Sequence, residues 1–362
     1  MTDRAQPAQF ILGIETSCDE TAVAITSGQH EVLANIVASQ HDLHRTYAGV
    51  VPEIASRAHL ERLIPVMREA LRTAGVTFSD LAGVAVGHRP GLIGSLLVGV
   101  SAAKATAWAL QKPIIGVDHI LAHLHACELD SARASYPALG LVVSGGHTAI
   151  FRISQPGEAV IVGHTIDDAV GEAYDKVATM LGFPYPGGPQ LDRLAQTGDP
   201  SRFALPVARL SKDSLAFSFS GLKTAMLYAI RGHPRGRGAD VTYERTAEML
   251  NEVDRADMAA SFQRAAVDAI MLKVELALDR FSVNTLLVGG GVSANSHLRE
   301  RLANLAQRTS VDVRLPRMEY CIDNAAMIAG LGAVMLQRNC TSNLTLRAEP
   351  ATGVVLEELG VT

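Results

Sequence analysis

Apolar positions first gather in an almost unbroken run, Phe10-Ile11-Leu12-Gly13-Ile14, which stops at Glu15. A run this short, bounded by polar residues, predicts a buried strand. The polar stretch Thr16-Ser17-Cys18-Asp19-Glu20 and a second apolar run at 21–25 complete a predicted hairpin. From Glu53-Ile54-Ala55-Ser56-Arg57-Ala58-His59 to about Ala74 the pattern becomes that of a long amphipathic helix. Residues 81–87 read as another buried strand. They run into His88-Arg89-Pro90-Gly91-Leu92-Ile93-Gly94, after which a helix is expected from about Ser95. Strand, glycine-rich loop and helix in that order expose backbone N–H groups to an anion.

The same pattern then begins again. Residues 138–143 predict a strand, Ser144-Gly145-Gly146-His147 a tight turn, and 148–153 the returning strand. Much later a strand at 285–288 leads through Gly289-Gly290-Gly291-Val292-Ser293-Ala294-Asn295 into a helix beginning near Ser296. Hairpin, helices and strand–glycine loop–helix thus occur once in each half. This predicts an α/β chain of two duplicated lobes on mostly parallel sheets, with glycine clusters set to cradle phosphates in a nucleotide cleft. The expected division is 1–130 for the first lobe and 131–322 for the second, with 341–362 as a tail. The helix within 323–340 packs back on the first lobe. The second lobe carries an insertion around 165–280: a helix from Asp167 to about Leu181, a stiff loop Tyr185-Pro186-Gly187-Gly188-Pro189 leading to Asp192, an alternating edge strand at 216–223, a basic loop at 231–238, and helices around 258–281.

Composition narrows this picture. In 362 residues, 48% hydrophobic and 19% charged content describe an ordered globule with sizeable cores. A net charge of −5 argues against bulk adhesion to nucleic acid, while a local basic patch stays open. Cys18, Cys127, Cys321 and Cys340 form no CxxC and are expected as reduced thiols of a cytoplasmic protein. The polar start Met1-Thr2-Asp3-Arg4-Ala5-Gln6-Pro7 has no signal-peptide core. Gly94, Ser95, Gly99, Ser101 and Lys104 interrupt the apolar run 92–110, which reads as a buried helix and not as a membrane span.

Candidate chemistry centres on Asp118-His119-Ile120-Leu121-Ala122-His123. On a helix capped by Asp118, His119 and His123 lie one turn apart on one face. Such a pair is either a metal site or two satisfied, partly buried histidines. Asp323 stands at a second helix start, where it is either an ordinary N-cap or a third ligand. Two His and one Asp form a facial set with open positions that suits Fe(II) or Zn(II). His125 falls on another helix face and makes a poor fourth ligand.

Taken together, Gly13-Ile14-Glu15-Thr16-Ser17-Cys18-Asp19-Glu20-Thr21, Glu53–His59, His119–His123, Val143–Thr148, Gly171–Lys176, Tyr185–Pro189, Ser218–Thr224, Gly289–Asn295 and Asp323-Asn324-Ala325-Ala326-Met327 resemble the tRNA N6-adenosine threonylcarbamoyltransferases. The resemblance covers nearly the whole chain. It implies an actin-like (ribonuclease-H-like) fold and transfer of threonylcarbamoyl from threonylcarbamoyl-AMP to N6 of the adenosine 3′ of the anticodon. The implied metal ligands are His119, His123 and Asp323, for one divalent ion, Fe(2+) first and Zn(2+) as the alternative. Substrate contacts fall on Val142, Val143, Ser144, Gly145, Gly146, Asp175, Gly188, Asp192 and Asn295, with ATP as a further possible ligand. No general base is assigned; His147 and Lys223 are only candidates. Implied partners are the tRNA, a degenerate paralogue subunit (TsaB-like), a small P-loop ATPase (TsaE-like) and a separate synthase that supplies the acyl-adenylate, with no membrane.

One departure stands out. The family's Thr-x-Gly-Pro-Gly type turn reads Gly87-His88-Arg89-Pro90-Gly91 here, so this turn is expected to differ in shape or to contact phosphate through Arg89. Two rival activities and one non-catalytic role are also consistent with parts of the pattern. A small-metabolite kinase would share the fold without needing the metal set. A metallopeptidase would need Glu after the first histidine, where this chain has Ile120. A non-catalytic scaffold paralogue would have lost the ligands that this chain keeps.

Overall fold

The computed structural model describes residues 9–47, 49–208, 210–236 and 242–357. The first part of the chain forms β1 (Phe10–Glu15), β2 (Glu20–Ser27), β3 (Glu31–Ser39), α1 (His41–His44), α2 (Pro52–Ala74), β4 (Leu81–Arg89), α3 (Ile93–Leu110), β5 (Ile114–Asp118) and α4 (His119–His125). The second part forms β6 (Ala138–Val143), β7 (Thr148–Gln155), β8 (Glu158–His164), α5 (Val170–Met180), α6 (Gly188–Ala195), α7 (Ser220–Arg231), α8 (Glu252–Phe281), β9 (Thr285–Gly289), α9 (Ser296–Arg308), β10 (Asp312–Arg314) and α10 (Ala325–Gln337).

These elements divide into two compact units. One gathers the chain up to Tyr136 with 153–159 and 315–355; the other holds 137–152, 160–314 and the chain from Leu356 onward. The first sheet has the order β3-β2-β1-β4-β5. Its first three strands run antiparallel, and β4 and β5 run parallel to β1. The second sheet repeats that order as β8-β7-β6-β9-β10, with β9 parallel to β6 and β10 parallel to β9. The duplicated α/β lobe is therefore present twice.

The apolar runs make central strands because these strands are covered on both faces. In β1, Leu12 and Ile14 face Leu63, Met67 and Ala70 of α2 and Val100 and Ala103 of α3. The alternate residue, Ile11, joins Ala85, Val117 and the alanine-rich α10. Small residues set this second contact: a Cβ on Gly13 would lie 2.4 Å from the Ala325 carbonyl. α3 is long and apolar enough to span a membrane, yet it packs one face, Leu96, Val100 and Ala103, on the sheet. Ile93, Leu97 and Trp108 are exposed, so it is buried on one side only.

Several expectations need correction. Residues 216–223 do not form an edge strand. Phe217 makes one bridge to Thr165, and α7 starts at Ser220. The Asp167 carboxylate ends the extended stretch by accepting from Phe219 N at 2.8 Å, Ser220 N at 3.3 Å and Ser220 Oγ at 2.9 Å. The loop after Tyr185 becomes helix at Gly188, with Pro189 in the first turn, where its missing N–H costs nothing. Residues 258–281 belong to the single 30-residue helix α8. In the basic loop, Arg235 bridges to Thr242 and pairs with Glu244. Arg237 and Gly238 lie outside the described residues.

Candidate metal centre and nucleotide loops

In the first unit, β5 ends at Asp118, whose Oδ1 accepts from Ile120 N at 3.1 Å and starts α4. His119 and His123 follow one turn apart, with ring centroids at 4.6 Å and planes at 79°. His125 points elsewhere, Nε2 lying 3.1 Å from the Gln29 carbonyl. The N-cap of α10 is Asn324 and not Asp323: Asn324 Oδ1 accepts from Met327 N at 3.0 Å. Asp323, one residue earlier, places Oδ1 3.1 Å from His123 Nε2 and 3.5 Å from His119 Nε2. The three ligand atoms lie within 4.8 Å of one another. His123 Nε2 is buried and, although 3.1 Å from Asp323 Oδ1, makes no aligned hydrogen bond. That arrangement fits a metal ion.

Glu15 stands behind this group. It is fully buried at the end of β1, its Oε2 is 3.0 Å from His119 Nδ1, and its Oε1 accepts from Ser17 N at 2.5 Å. A carboxylate on the far nitrogen of a ligating imidazole fixes its tautomer and raises its basicity. Burial lowers the proton affinity of His119, but the charges of Glu15 and then Asp323, with the Glu15 hydrogen bond, outweigh it and bring the imidazole to about 9. Burial and the neighbouring His119 push His123 down. Gly87 in β4 makes room for Glu15, since a Cβ there would meet Oε2 at 2.6 Å.

The hairpin mouth is held from behind by α2. His59, fully buried, donates from Nε2 to the Cys18 carbonyl at 3.0 Å and accepts at Nδ1 from the Thr21 hydroxyl at 2.8 Å. Beside it, burial first, then Asp323 and Asp19, push the Glu20 carboxyl up to about 8 against the opposing hydrogen bond of His41. Arg89, the departure in the β4 turn, pairs with Asp118 (Nε to Oδ2, 3.4 Å) and with Glu349 (Nη1 to Oε2, 3.0 Å). Asp118 Oδ2 also accepts from Thr352 Oγ1 at 2.7 Å and Gly353 N at 3.1 Å. Arg89 thus ties the C-terminal segment to the residue that caps the histidine helix.

In the second unit, Val142 and Val143 are buried at the end of β6. Ser144 N donates to the His147 carbonyl at 2.8 Å, and His147 N to Ser144 Oγ at 3.1 Å, closing the turn. Gly145 and Gly146 are exposed and a Cβ on either would touch nothing, so packing does not explain their lack of side chains. The loop after β9 comes against β6: Gly290, at φ +94°, would place a Cβ 2.5 Å from the Val143 carbonyl. Asp175 Oδ1 accepts from Gly187 N at 2.9 Å and Gly188 N at 3.0 Å. Asp192 accepts from Asn295 Nδ2 at 3.1 Å and Ser296 Oγ at 2.7 Å. Asn295 also donates to Gln263 at 2.8 Å and caps α9 through Leu298 N at 3.0 Å, so its side-chain groups are engaged within the protein. Lys223 is ion-paired with Asp168.

The family model described as tRNA N6-adenosine threonylcarbamoyltransferase (TsaD) matches residues 31–330. The chain belongs to this family. A member from Bacillus cereus is 46% identical over 346 residues, 95% of this chain and 96% of that protein. One from Geobacillus kaustophilus is 47% identical over 347 residues, 96% and 97% of the two chains. Among solved structures, HypF of T. kodakarensis matches at TM-score 0.58 and 15% identity, over 92% of this chain and 48% of that one. Component A of the Acidaminococcus fermentans (R)-2-hydroxyglutaryl-CoA dehydratase matches at TM-score 0.51 and 12% identity, over 91% and 100%. These two share the actin-like fold. As a member of the family, the enzyme transfers a threonylcarbamoyl group to N6 of adenosine in tRNA. Kinase and peptidase readings find no support in these relatives.

The sequence pattern drew attention to the His–His–Asp residues and the glycine turns, but not to Glu15, which the structure places behind His119, or to His41, which pairs with Glu20. A charged residue closing a fully apolar strand was the available signal for Glu15.

Proposed function

We propose that the transfer is metal-assisted, with His119, His123 and Asp323 holding one divalent ion. The observation that carries this reading is the convergence of both imidazole Nε2 atoms on Asp323 Oδ1 with Glu15 behind His119. Two nitrogens, one oxygen and open positions suit Fe(2+), with Zn(2+) as the alternative. The ion, when bound, supplies Lewis-acid polarisation of the acyl donor. The donor is threonylcarbamoyl-adenylate. The adenosine N6 attacks the carbamoyl carbon, the bond to the phosphate oxygen breaks, AMP leaves and the amine loses a proton.

On this reading the second unit holds the adenylate. Exposed Gly145 and Gly146 let backbone N–H groups approach the phosphate, flanked by Val142, Val143 and Ser144. Asp175 and Gly188 shape the next loop, while Asp192 and Asn295 fix the start of α9 and orient its first turn. The proton acceptor is left unassigned. The enzyme works in the cytoplasm on the adenosine next to the anticodon, with a separate synthase supplying the adenylate and a paralogue subunit and a small P-loop ATPase as partners.

His119→Ala and Asp323→Ala should each abolish threonylcarbamoyladenosine in tRNA from a complemented strain, read by nucleoside mass spectrometry, while the purified proteins keep the wild-type melting profile. Unchanged nucleoside levels would sink the metal reading. Metal analysis of anaerobically purified protein decides between iron and zinc.

A further inference from the structure

A second set of ligand-type side chains lies in the first unit outside the group already described. Asp19 and Glu20 close the mouth of the β1–β2 hairpin, and His41 opens α1 just after β3. The turn is drawn onto the hairpin by Gln40 N, which donates to the Asp19 carbonyl at 3.1 Å. His41 Nε2 then lies 3.1 Å from Glu20 Oε1 and 3.9 Å from Asp19 Oδ2. One ligand atom from each residue fits within 4.8 Å of the others.

Two observations separate this group from an ordinary surface ion pair. Asp19 and Glu20 are only 5% and 7% exposed, so both carboxylates have left bulk water. Asp19 Oδ2 is sealed from solvent and has no hydrogen-bond partner, although it faces the imidazole. Among the described residues, the ion pairs of Asp19 and Glu20 come from His41, which is half-exposed, and Glu20 otherwise keeps its own proton up to about 8, a proton that a cation bound here would displace. A buried carboxylate oxygen without a partner is costly, and a bound cation removes that cost.

We propose that Asp19, Glu20 and His41 form a second divalent-cation site, with two carboxylate oxygens and one imidazole nitrogen as ligands. The mixed, oxygen-rich set selects a Mn(2+)- or Mg(2+)-class ion that keeps several waters or takes phosphate oxygens in its remaining positions. The site does not depend on the His119–His123–Asp323 reading, and its test is made where that group is broken.

The probe is Mn(2+), titrated into chelator-stripped full-length protein and followed by electron paramagnetic resonance of the free ion. The His123→Ala variant should still bind one Mn(2+) per chain. Adding Glu20→Gln should abolish that binding, and adding His41→Ala, a half-exposed position that leaves the buried core intact, should weaken it at least tenfold. The proposal is overturned if His123→Ala binds no Mn(2+), in which case an interior water serves Asp19, or if its binding is unchanged by His41→Ala. Should the Glu20 variant fail to fold, the His41 variant alone decides.

Discussion

Glu15→Gln is the sharpest test of how the metal group is built. The substitution keeps the shape of the side chain and removes one buried charge, 3.0 Å from His119 Nδ1. Two consequences oppose each other. Losing the carboxylate behind a ligating imidazole weakens metal binding about 10–100-fold. The same carboxylate, with Asp323, overcomes burial and holds His119 protonated up to about 9, so the metal must displace a proton at neutral pH. From the ratio of protonated to neutral imidazole, that competition weakens apparent binding about 100-fold at pH 7 but only about 4-fold at pH 8.5. Without Glu15 its charge and its hydrogen bond no longer raise the imidazole while burial still lowers it, so the penalty shrinks at both values and most at pH 7.

The variant should therefore bind Zn(2+) about 10–100-fold more weakly than wild type at pH 8.5, with the defect largely cancelled at pH 7. Competition against a chromophoric chelator at the two pH values measures it. A defect of equal size at both, or none at pH 8.5, would refute the coupling of Glu15 to His119. Gly87→Ala should reproduce this pH signature from the next strand, because its Cβ would press on Glu15 Oε2 at 2.6 Å. It should also cost about 1–3 kcal/mol of stability.

Two further outcomes follow from the same region. Arg89→Ala removes the ion pairs to Asp118 and Glu349, the first to a buried carboxylate and the second half-exposed. It should cost about 1 kcal/mol and speed proteolysis within 340–357; cleavage at the wild-type rate, read by mass spectrometry, would show that Arg89 does not hold the segment. The metal-free chain should lose stability between pH 6.5 and 8.5. His119 is raised on folding, so its contribution, about 3 kcal/mol at most, is full below 6.5 and lost as pH rises through about 9. Glu20, raised to about 8, acts in the same direction, whereas His123, lowered on folding, costs stability only as pH falls below 6.5. Chemical denaturation in chelator measures the trend, and a flat or rising profile from pH 6.5 to 8.5 would contradict these protonation states.

What the sequence made legible follows from where each element sits in its sheet. The central strands β1, β4, β6 and β9 are covered on both faces, so they write unbroken apolar runs that no turn or surface helix imitates. The edge strand β3 is buried at few positions, and its mixture of Glu31, Asn35 and half-buried Val and Ile carries no such run; β8 is alike. Helix α6 was hidden by Gly187-Gly188-Pro189, which spells a loop until proline's place in a first helical turn is weighed. Asp323 and Asn324 are equally good caps on composition. The extended backbone of Asn324, φ −152° and ψ 159°, decides between them and sets Asp323 against the histidines.

The His–His–Asp group could be read because each of its two segments carries its own start signal, Asp118 before α4 and Asn324 before α10. Glu15 has no comparable local signal. Its role comes from the sheet order: β1, β4 and β5 lie side by side and parallel, so the ends of β1 and β5 emerge at the same edge. Gly87 in the strand between them leaves the gap through which Glu15 reaches His119 at the head of α4. Side chains announced by helix starts can be found along a chain, whereas the carboxylate that stands behind them is found only across a sheet.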